Sequence, residues 1–182
     1  MHTTLINPGR LVAALHALTA SDAAAPPAPP RRPHPPLPAE GKAYHHLIDA
    51  LVDMNKRMRA ELPLGMQRGY EPAQYAEVFA TVRAFVGRQG GSTSYIRDRA
   101  TVHDLVIVSS HRAADSEYLR YGMPCRVATP DAFSSRRLGS HSNRYNTVYI
   151  DDPEHIFGQI NRRELYQLLA HDDTQTFVLL GM

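Results

Sequence analysis

The segment GRQGGSTSYI at residues 87–96 contains three glycines, then three hydroxyl residues, and ends in Tyr95 and Ile96. Glycine allows the backbone to curl closely around a ligand because it has no Cβ to clash. A glycine-rich turn that leads into a helix presents its backbone N–H groups to a phosphate. The segment therefore predicts a phosphate-binding turn followed by a helix over residues 94–100.

A second segment supplies acidic residues. The apolar run TVYI at residues 147–150 is followed directly by Asp151 and Asp152. An acidic pair at the end of an apolar strand is a common way to hold Mg²⁺, which prefers carboxylate oxygens. The pair predicts a magnesium site at the end of this strand.

The remaining apolar segments alternate between strand-like and helix-like patterns. Short apolar runs predict strands at 105–108, 125–128, 148–150 and 176–180. Helical spacing predicts helices at 42–62, from Pro72 onward, at 113–121 and at 154–170. Residues 81–86 fit either the end of a helix or a short strand. The alternation predicts an α/β fold with a mainly parallel sheet and flanking helices, preceded by helices and a proline-rich N-terminal tether.

Composition divides the chain into four regions. We expect a short helical segment at 1–23, a linker rich in proline and alanine at 24–40, a helical region at 41–80 and the α/β domain at 81–182. Because proline lacks an N–H and favours extended chain, the linker predicts a plain spacer. A ligand for an SH3-type domain, at Pro30-Arg31-Arg32-Pro33, is the alternative.

The overall composition excludes several classes of protein. The chain is 43% hydrophobic and 21% charged, which suffices for a globular core, and its net charge of +2 does not argue for nucleic acid. The single cysteine, Cys125, excludes an intrachain disulfide and a cysteine-based zinc cluster. No apolar run approaches the ~20 residues that a membrane span needs. We therefore expect no membrane contact, and a cytoplasmic protein that is not secreted.

The segment RQGGST at residues 88–93 resembles the Walker A loop of P-loop NTPases, in the Arg-Gln-x-Gly-Lys-[Ser/Thr] form of phage terminases and helicase-like ATPases. The resemblance runs from Gly87 to Met182, about half of the chain, and implies ATP and Mg²⁺ as ligands. The nucleotide-binding residues that it implies are Arg88, Gln89, Gly90, Gly91, Ser92, Thr93 and Ser94. Thr93 and Asp151 would hold the Mg²⁺, and Asp151 and Asp152 would be catalytic.

The chain departs from that pattern at Ser92, where the family has its lysine. Lysine places a full charge beside the β- and γ-phosphates, whereas serine is neutral and too short to reach the γ-phosphate. Asp152 stands in place of a glutamate, one methylene longer, that positions the attacking water. We expect impaired hydrolysis, and weak ATP and Mg²⁺ binding or none, unless Arg88, Arg97 or Arg99 replaces the lysine.

Two functions remain open. The first is a cytoplasmic or virion-associated adaptor or assembly component of viral type, built on a degenerate P-loop NTPase fold. It would capture protein partners through its N-terminal segment within a homo- or hetero-oligomer. The alternative is an active ATPase of terminase or helicase type that works on nucleic acid, a partner that the sequence supports only weakly. A reading without nucleotide also stands, because Gly90-Gly91-Ser92 fits an ordinary turn and Asp151-Asp152-Pro153 an ordinary helix start capped by a carboxylate.

Other chemistries lack the patterns that they require. Ser110 and His111 follow a predicted strand, but without the Gly-x-Ser-x-Gly elbow of a hydrolase nucleophile. The histidines lack the His-Glu-x-x-His spacing of a zinc site. Cys125 has no histidine partner that the sequence can place.

Overall fold

A computed structural model of the chain describes residues 39–63, 67–85, 91–134 and 144–181. All of these lie in one of the chain's two compact units, Arg31–Met182. The segment expected at 1–23 and the linker up to residue 38 lie outside the described residues. The same is true of three predicted nucleotide-binding residues, Arg88, Gln89 and Gly90.

Two helices precede the sheet, α1 (Ala39–Ala60) and α2 (Pro72–Val78). α1 ends three residues before Pro63, which cannot continue a helix. α2 opens on Pro72, whose fixed φ and missing N–H suit the first helical turn. Both helices match the segments predicted for them.

Five strands form one sheet: β1 (Thr81–Ala84), β2 (Leu105–Ile107), β3 (Arg126–Ala128), β4 (Thr147–Asp151) and β5 (Thr176–Leu180). Their order across the sheet is β1-β5-β4-β2-β3, and each neighbouring pair is parallel. The prediction of an α/β fold with a mainly parallel sheet is confirmed. The open choice at residues 81–86 is resolved as a strand at Thr81–Ala84, where Val82 and Ala84 are buried and Arg83 is exposed.

The connections between strands carry short helices: α3 (Ser92–Arg99), α4 (His111–Ala113), α5 (Pro130–Ser134), α6 (Pro153–Phe157) and α7 (Arg162–Leu169). α4 continues as a π-helical turn, Ala114–Tyr118, and a 3₁₀ turn, Leu119–Tyr121. The regular helix expected at 113–121 is therefore wrong in its geometry.

The single helix predicted at 154–170 is also wrong, because the chain forms α6 and α7 instead. Asn161 separates them: its backbone is extended, and its side chain accepts hydrogen bonds from the N–H groups of Arg163 and Glu164. Asparagine at this position caps a new helix start. The apolar spacing continues across the break, which is why periodicity alone did not reveal it.

Alternate residues of the strands face two separate cores. Leu105, Ile107 and Ile150 pack with α2, α6 and α7 on one face. Val106, Tyr149 and Val178 pack with α1, α3 and the turn that ends at Tyr118 on the other. Helices thus cover both faces, as buried parallel strands require.

α1 lies across one face of the sheet, and hydrogen bonds near both ends of the helix attach it there. Tyr44 donates a hydrogen bond to the carbonyl of Ala84, at the end of β1. Arg59, which is 6% exposed, donates to the carbonyls of Asp173 and Gln175 just before β5. α1 therefore runs antiparallel to the strands. No helix among the described residues is both long enough and apolar enough to cross a membrane.

Candidate functional site

The candidate site lies at the C-terminal edge of the sheet. The register pairs Ala84 of β1 with Leu180 of β5, and Leu180 with Asp151 of β4. The segment that leaves β1 toward α3 and the acidic end of β4 are therefore one strand apart. Parallel α/β sheets bind ligands at this edge, beyond the carboxyl ends of their strands.

Thr93 and Asp151, the two residues expected to share a magnesium ion, are in direct contact. The Thr93 hydroxyl donates a hydrogen bond of 3.1 Å to Oδ2 of Asp151, across 58 residues of sequence. Thr93 lies in the first turn of α3, and Asp151 is the last residue of β4. The two oxygens are ligands of the kind that Mg²⁺ takes in proteins.

The start of α3 depends on Gly91. This residue precedes the helix with φ 86° and ψ 16°, a left-handed conformation that glycine adopts without strain. Its carbonyl accepts the first helical hydrogen bond, from the N–H of Tyr95. Ser92, Thr93 and Ser94 therefore form the first turn, two residues earlier than predicted, where backbone N–H groups lack helical acceptors.

Tyr118 contacts the same carboxylate oxygen as Thr93. Its hydroxyl lies 2.5 Å from Oδ2 of Asp151, and its side chain is completely buried. Burial raises the pKa of Tyr118 well above its usual value, and the charge of Asp151 raises it further. Tyr118 is therefore a neutral donor to this carboxylate.

The carboxyl group of Asp151 lies in a largely desolvated environment. Burial raises its pKa, while hydrogen bonds from Tyr118 and Thr93 offset part of that rise. Burial, followed by the charge of Asp151, raises the pKa of Tyr44 to about 12. The neighbours of this carboxyl group are thus mainly hydroxyls, and among the described residues no group of three or more His, Cys, Asp or Glu comes together to hold a metal.

Asp152 is distinguished by its backbone. It is the one non-glycine residue with a positive φ in the described ranges, at φ 68° and ψ 66°. Its N–H donates to the carbonyl of Leu180, which fixes the turn from β4 into α6. The expected carboxylate cap is wrong, because Asp152 occupies the cap position without a side-chain cap hydrogen bond.

Two of the arginines considered as substitutes for the missing lysine are held by other side chains. Arg97 donates to the hydroxyl of Ser94, at 3.2 Å, and its guanidinium lies 4.5 Å from the ring centre of Tyr121. Arg99 forms a two-pronged ion pair with Asp49 of α1, at 3.1 and 2.7 Å. Arg88 lies outside the described residues.

His45 is a neighbour of the site that sequence reasoning set aside. It is 6% exposed, and its Nε2 lies 3.3 Å from the carbonyl oxygen of Gly91. Its Nδ1 lies 3.6 Å from Asp98, and its ring packs edge-on against Tyr95. His45 thus links α1 to the start of α3. The pair His45-His46 gave no signal of this, because only the fold brings α1 beside α3.

Tyr118 and Tyr44 were also missed as neighbours of Asp151. Each belongs to a helical stretch whose apolar spacing marks it as an ordinary core residue. No local motif points from either tyrosine to an acidic residue more than thirty positions away.

A concavity lies at the opposite edge of the sheet. It has a volume of about 500 Å³ and is lined in part by Lys56, Asn146 and Thr147. Thr147 begins β4, whereas Asp151 ends it, so this cleft is separate from the Thr93–Asp151 pair. The ion pair between Arg99 and Asp49 lies in its wall.

The other candidates from the sequence do not form catalytic groups. His111 pairs with Asp131 at 3.1 Å and is largely exposed, while the Ser110 hydroxyl caps α4 by accepting from the N–H of Ala113. Cys125 is buried, and burial raises the pKa of its thiol to about 11. A thiol protonated at neutral pH is a poor nucleophile.

No protein-family model matches the chain, and no curated protein matches it significantly in sequence. The case for any function therefore rests on the geometry of the residues themselves.

Proposed function

We propose that this chain is a degenerate P-loop NTPase-like protein that hydrolyses ATP poorly or not at all and acts as an adaptor or assembly component. The observation that carries the proposal is the 3.1 Å hydrogen bond between Thr93 and Asp151. In P-loop NTPases a Ser or Thr at the start of the helix and an acidic residue at the end of a strand hold the Mg²⁺ together. The viral assignment rests on the terminase-like form of the loop alone.

Impaired turnover follows from the charges around the first turn of α3. Ser92 supplies no positive charge, Arg97 lies against Ser94 and Tyr121, and Arg99 is neutralised by Asp49. Removing one contact that stabilises charge in a transition state typically lowers turnover by ~100- to 1000-fold. The absence of the lysine charge at position 92 also weakens binding of the β- and γ-phosphates.

A role in assembly is supported by apolar surface on α1. Leu47, Met54 and Met58 are 55%, 49% and 60% exposed, and they follow one another at helical spacing. Ile48, which follows Leu47 and lies about 100° further round the helix, is completely buried. An exposed apolar helix face of this kind is a candidate interaction surface. A nucleotide-binding role alone does not require it.

Calorimetry with ATP–Mg²⁺ tests the nucleotide part of the proposal. We expect no binding, or weak binding, for the natural chain and no measurable phosphate release. Ser92→Lys restores the charge beside the phosphates and should tighten binding by about tenfold or more, since hydrogen bonds to charged groups are worth ~1.5–3 kcal/mol. Val102→Lys, which places the same charge at an exposed position after α3, is the matched control and should not tighten it.

Three outcomes would change the assignment. Unchanged binding in Ser92→Lys would favour a turn without nucleotide. Micromolar affinity of the natural chain, with phosphate release that Thr93→Ala abolishes, would instead establish the alternative, an active ATPase. Equal tightening by Val102→Lys would indicate a general effect of charge.

A further inference from the structure

Tyr118 contacts the Asp151 carboxylate from the protein interior. It is completely buried, and its hydroxyl lies 2.5 Å from Oδ2 of Asp151. The same oxygen accepts the 3.1 Å hydrogen bond from Thr93. A carboxylate oxygen has two lone pairs in its plane, so two donors of this kind occupy it fully.

The position of Tyr118 results from an irregular turn. The chain widens into a π-helical turn over Ala114–Tyr118 and then tightens into a 3₁₀ turn at Leu119–Tyr121. A π turn shifts the residues that follow it relative to a regular helix and is frequent at functional sites. The irregular stretch ends at the residue that reaches Asp151.

Contacts with α3 hold this turn in place. Arg97 donates to the carbonyl of Glu117 at 3.3 Å, next to Tyr118 in sequence. Its guanidinium also lies over the ring of Tyr121, 4.5 Å from the ring centre, where a cation is attracted by the π system. The helix that carries Thr93 therefore also positions the segment that carries Tyr118.

We propose that Tyr118 determines whether the Thr93–Asp151 site takes a divalent cation, and that its hydroxyl keeps the site closed to one. A cation that binds Oδ2, directly or through a water, competes with the Tyr118 hydroxyl for this oxygen. The effect is separate from the missing lysine, because it concerns the metal and not the phosphates. The inference rests on the proposed function in one respect, since it assigns the same pair of oxygens to the metal.

The test measures the metal alone. Tyr118→Phe keeps the buried ring and removes only the hydroxyl. We expect it to bind Mn²⁺ about tenfold more tightly than the natural chain, because a hydrogen bond to a charged group no longer competes. Electron paramagnetic resonance of free Mn²⁺ measures the affinity. Asp151→Asn in the Tyr118→Phe background should abolish the increase.

Tyr166→Phe is the matched control. Tyr166 is also completely buried, but its hydroxyl pairs with Thr81 at 2.8 Å in the other core. Its loss should leave Mn²⁺ affinity unchanged. Tyr118→Met, which fills the space without a hydroxyl, replaces Tyr118→Phe if circular dichroism shows that the latter does not fold.

The outcomes separate this inference from the proposed function. Mn²⁺ affinity that does not rise in a folded variant lacking the hydroxyl overturns the role of Tyr118, as does a rise that persists with Asp151→Asn. If Ser92→Lys binds ATP–Mg²⁺ while Tyr118→Phe changes nothing, only the proposed function stands. If Tyr118→Phe gains a metal dependent on Asp151 while Ser92→Lys binds no nucleotide, only the role of Tyr118 stands.

Discussion

Asp152 carries backbone strain at the edge of the site. Its φ of 68° is in the left-handed region, which costs most residues ~1–2 kcal/mol and which Asp and Asn tolerate best. Gly181 approaches it closely: a Cβ on Gly181 would lie 3.5 Å from the backbone nitrogen of Asp152. Few residue types therefore suit position 152, in the turn from β4 into α6.

Substitutions at Asp152 should separate backbone strain from charge. Asp152→Asn keeps a side chain that suits the left-handed conformation, so we expect stability close to that of the natural chain. Asp152→Val places a β-branched residue there and should lower the free energy of unfolding by about 2 kcal/mol. Urea denaturation measures both. A loss in Asp152→Asn as large as in Asp152→Val would show that the carboxylate, and not the backbone, matters.

At the level of single residues, the sequence analysis identified Thr93 and Asp151 and missed Tyr118. Thr93 and Asp151 were identified because each stands at a fixed offset in a short motif, and the structure places them in contact. Tyr118 was missed because its approach to Asp151 depends on a π turn that no periodicity signals. Assignment of the pair to nucleotide and Mg²⁺ remains a prediction.

α1 and α3 are joined by a polar cluster on the face of the sheet that they cover. Asp49 of α1 accepts hydrogen bonds from Arg99, at 3.1 and 2.7 Å, and from the hydroxyl of Tyr95, at 3.0 Å. The hydrogen bond from Arg99 lowers the pKa of Asp49 below its usual value, burial opposes that shift, and the hydrogen bond from Tyr95 adds to it. The link is thus strongest when Asp49 is ionised.

The stability of this link should depend on pH in a defined direction. A carboxyl group whose pKa is lowered by folding stabilises the protein above the pKa of the unfolded chain, about 3.9 for Asp. That contribution is lost as the pH falls through the lower value of the folded state. We therefore expect Asp49→Asn to be less stable than the natural chain at pH 6, and the difference to shrink below pH ~4.

Urea denaturation between pH 6 and pH 2.5 measures the difference. Asp53→Asn, which changes an exposed carboxylate on the same helix, is the control and should show little difference at any pH. A gap between Asp49→Asn and the natural chain that stays constant with pH would contradict the role of the ionised carboxylate.

The elements themselves were predictable where burial is uniform. β2 and β5 are buried at every position, so their sequences are apolar runs. Such runs are typical of buried parallel strands, which is why the sequence predicted both. The break between α6 and α7 escaped prediction because Asn161 acts through its side-chain cap and leaves the apolar spacing intact. The prediction of this helix boundary was wrong because the boundary depends on a side-chain cap and not on the hydrophobic pattern.

At the scale of the whole molecule, helices cover both faces of the sheet, and the large apolar side chains left exposed among the described residues include three on α1. α1 uses one side to cover the sheet and leaves Leu47, Met54 and Met58 in solvent. These three residues repeat at helical spacing with Tyr44, which is buried. Sequence spacing showed that the helix is amphipathic, but not that its apolar arc is wider than the sheet can cover.

The proposed function leaves two candidate partner-binding surfaces, the N-terminal residues and the exposed face of α1, and a truncation separates them. Removal of residues 1–38 leaves α1 and both cores intact, so we expect the thermal midpoint of the folded part to stay within a few degrees of the full chain.

We expect the truncated protein to lose the partners that the full chain captures in a pull-down from its native source. The reason is that the truncation removes the N-terminal segment to which the proposed function assigns partner capture. Full-length Met54→Lys, which places a charge on the exposed face of α1, is the comparison and should retain those partners. Retention by the truncated protein together with loss in Met54→Lys would reverse the assignment and place the binding surface on α1.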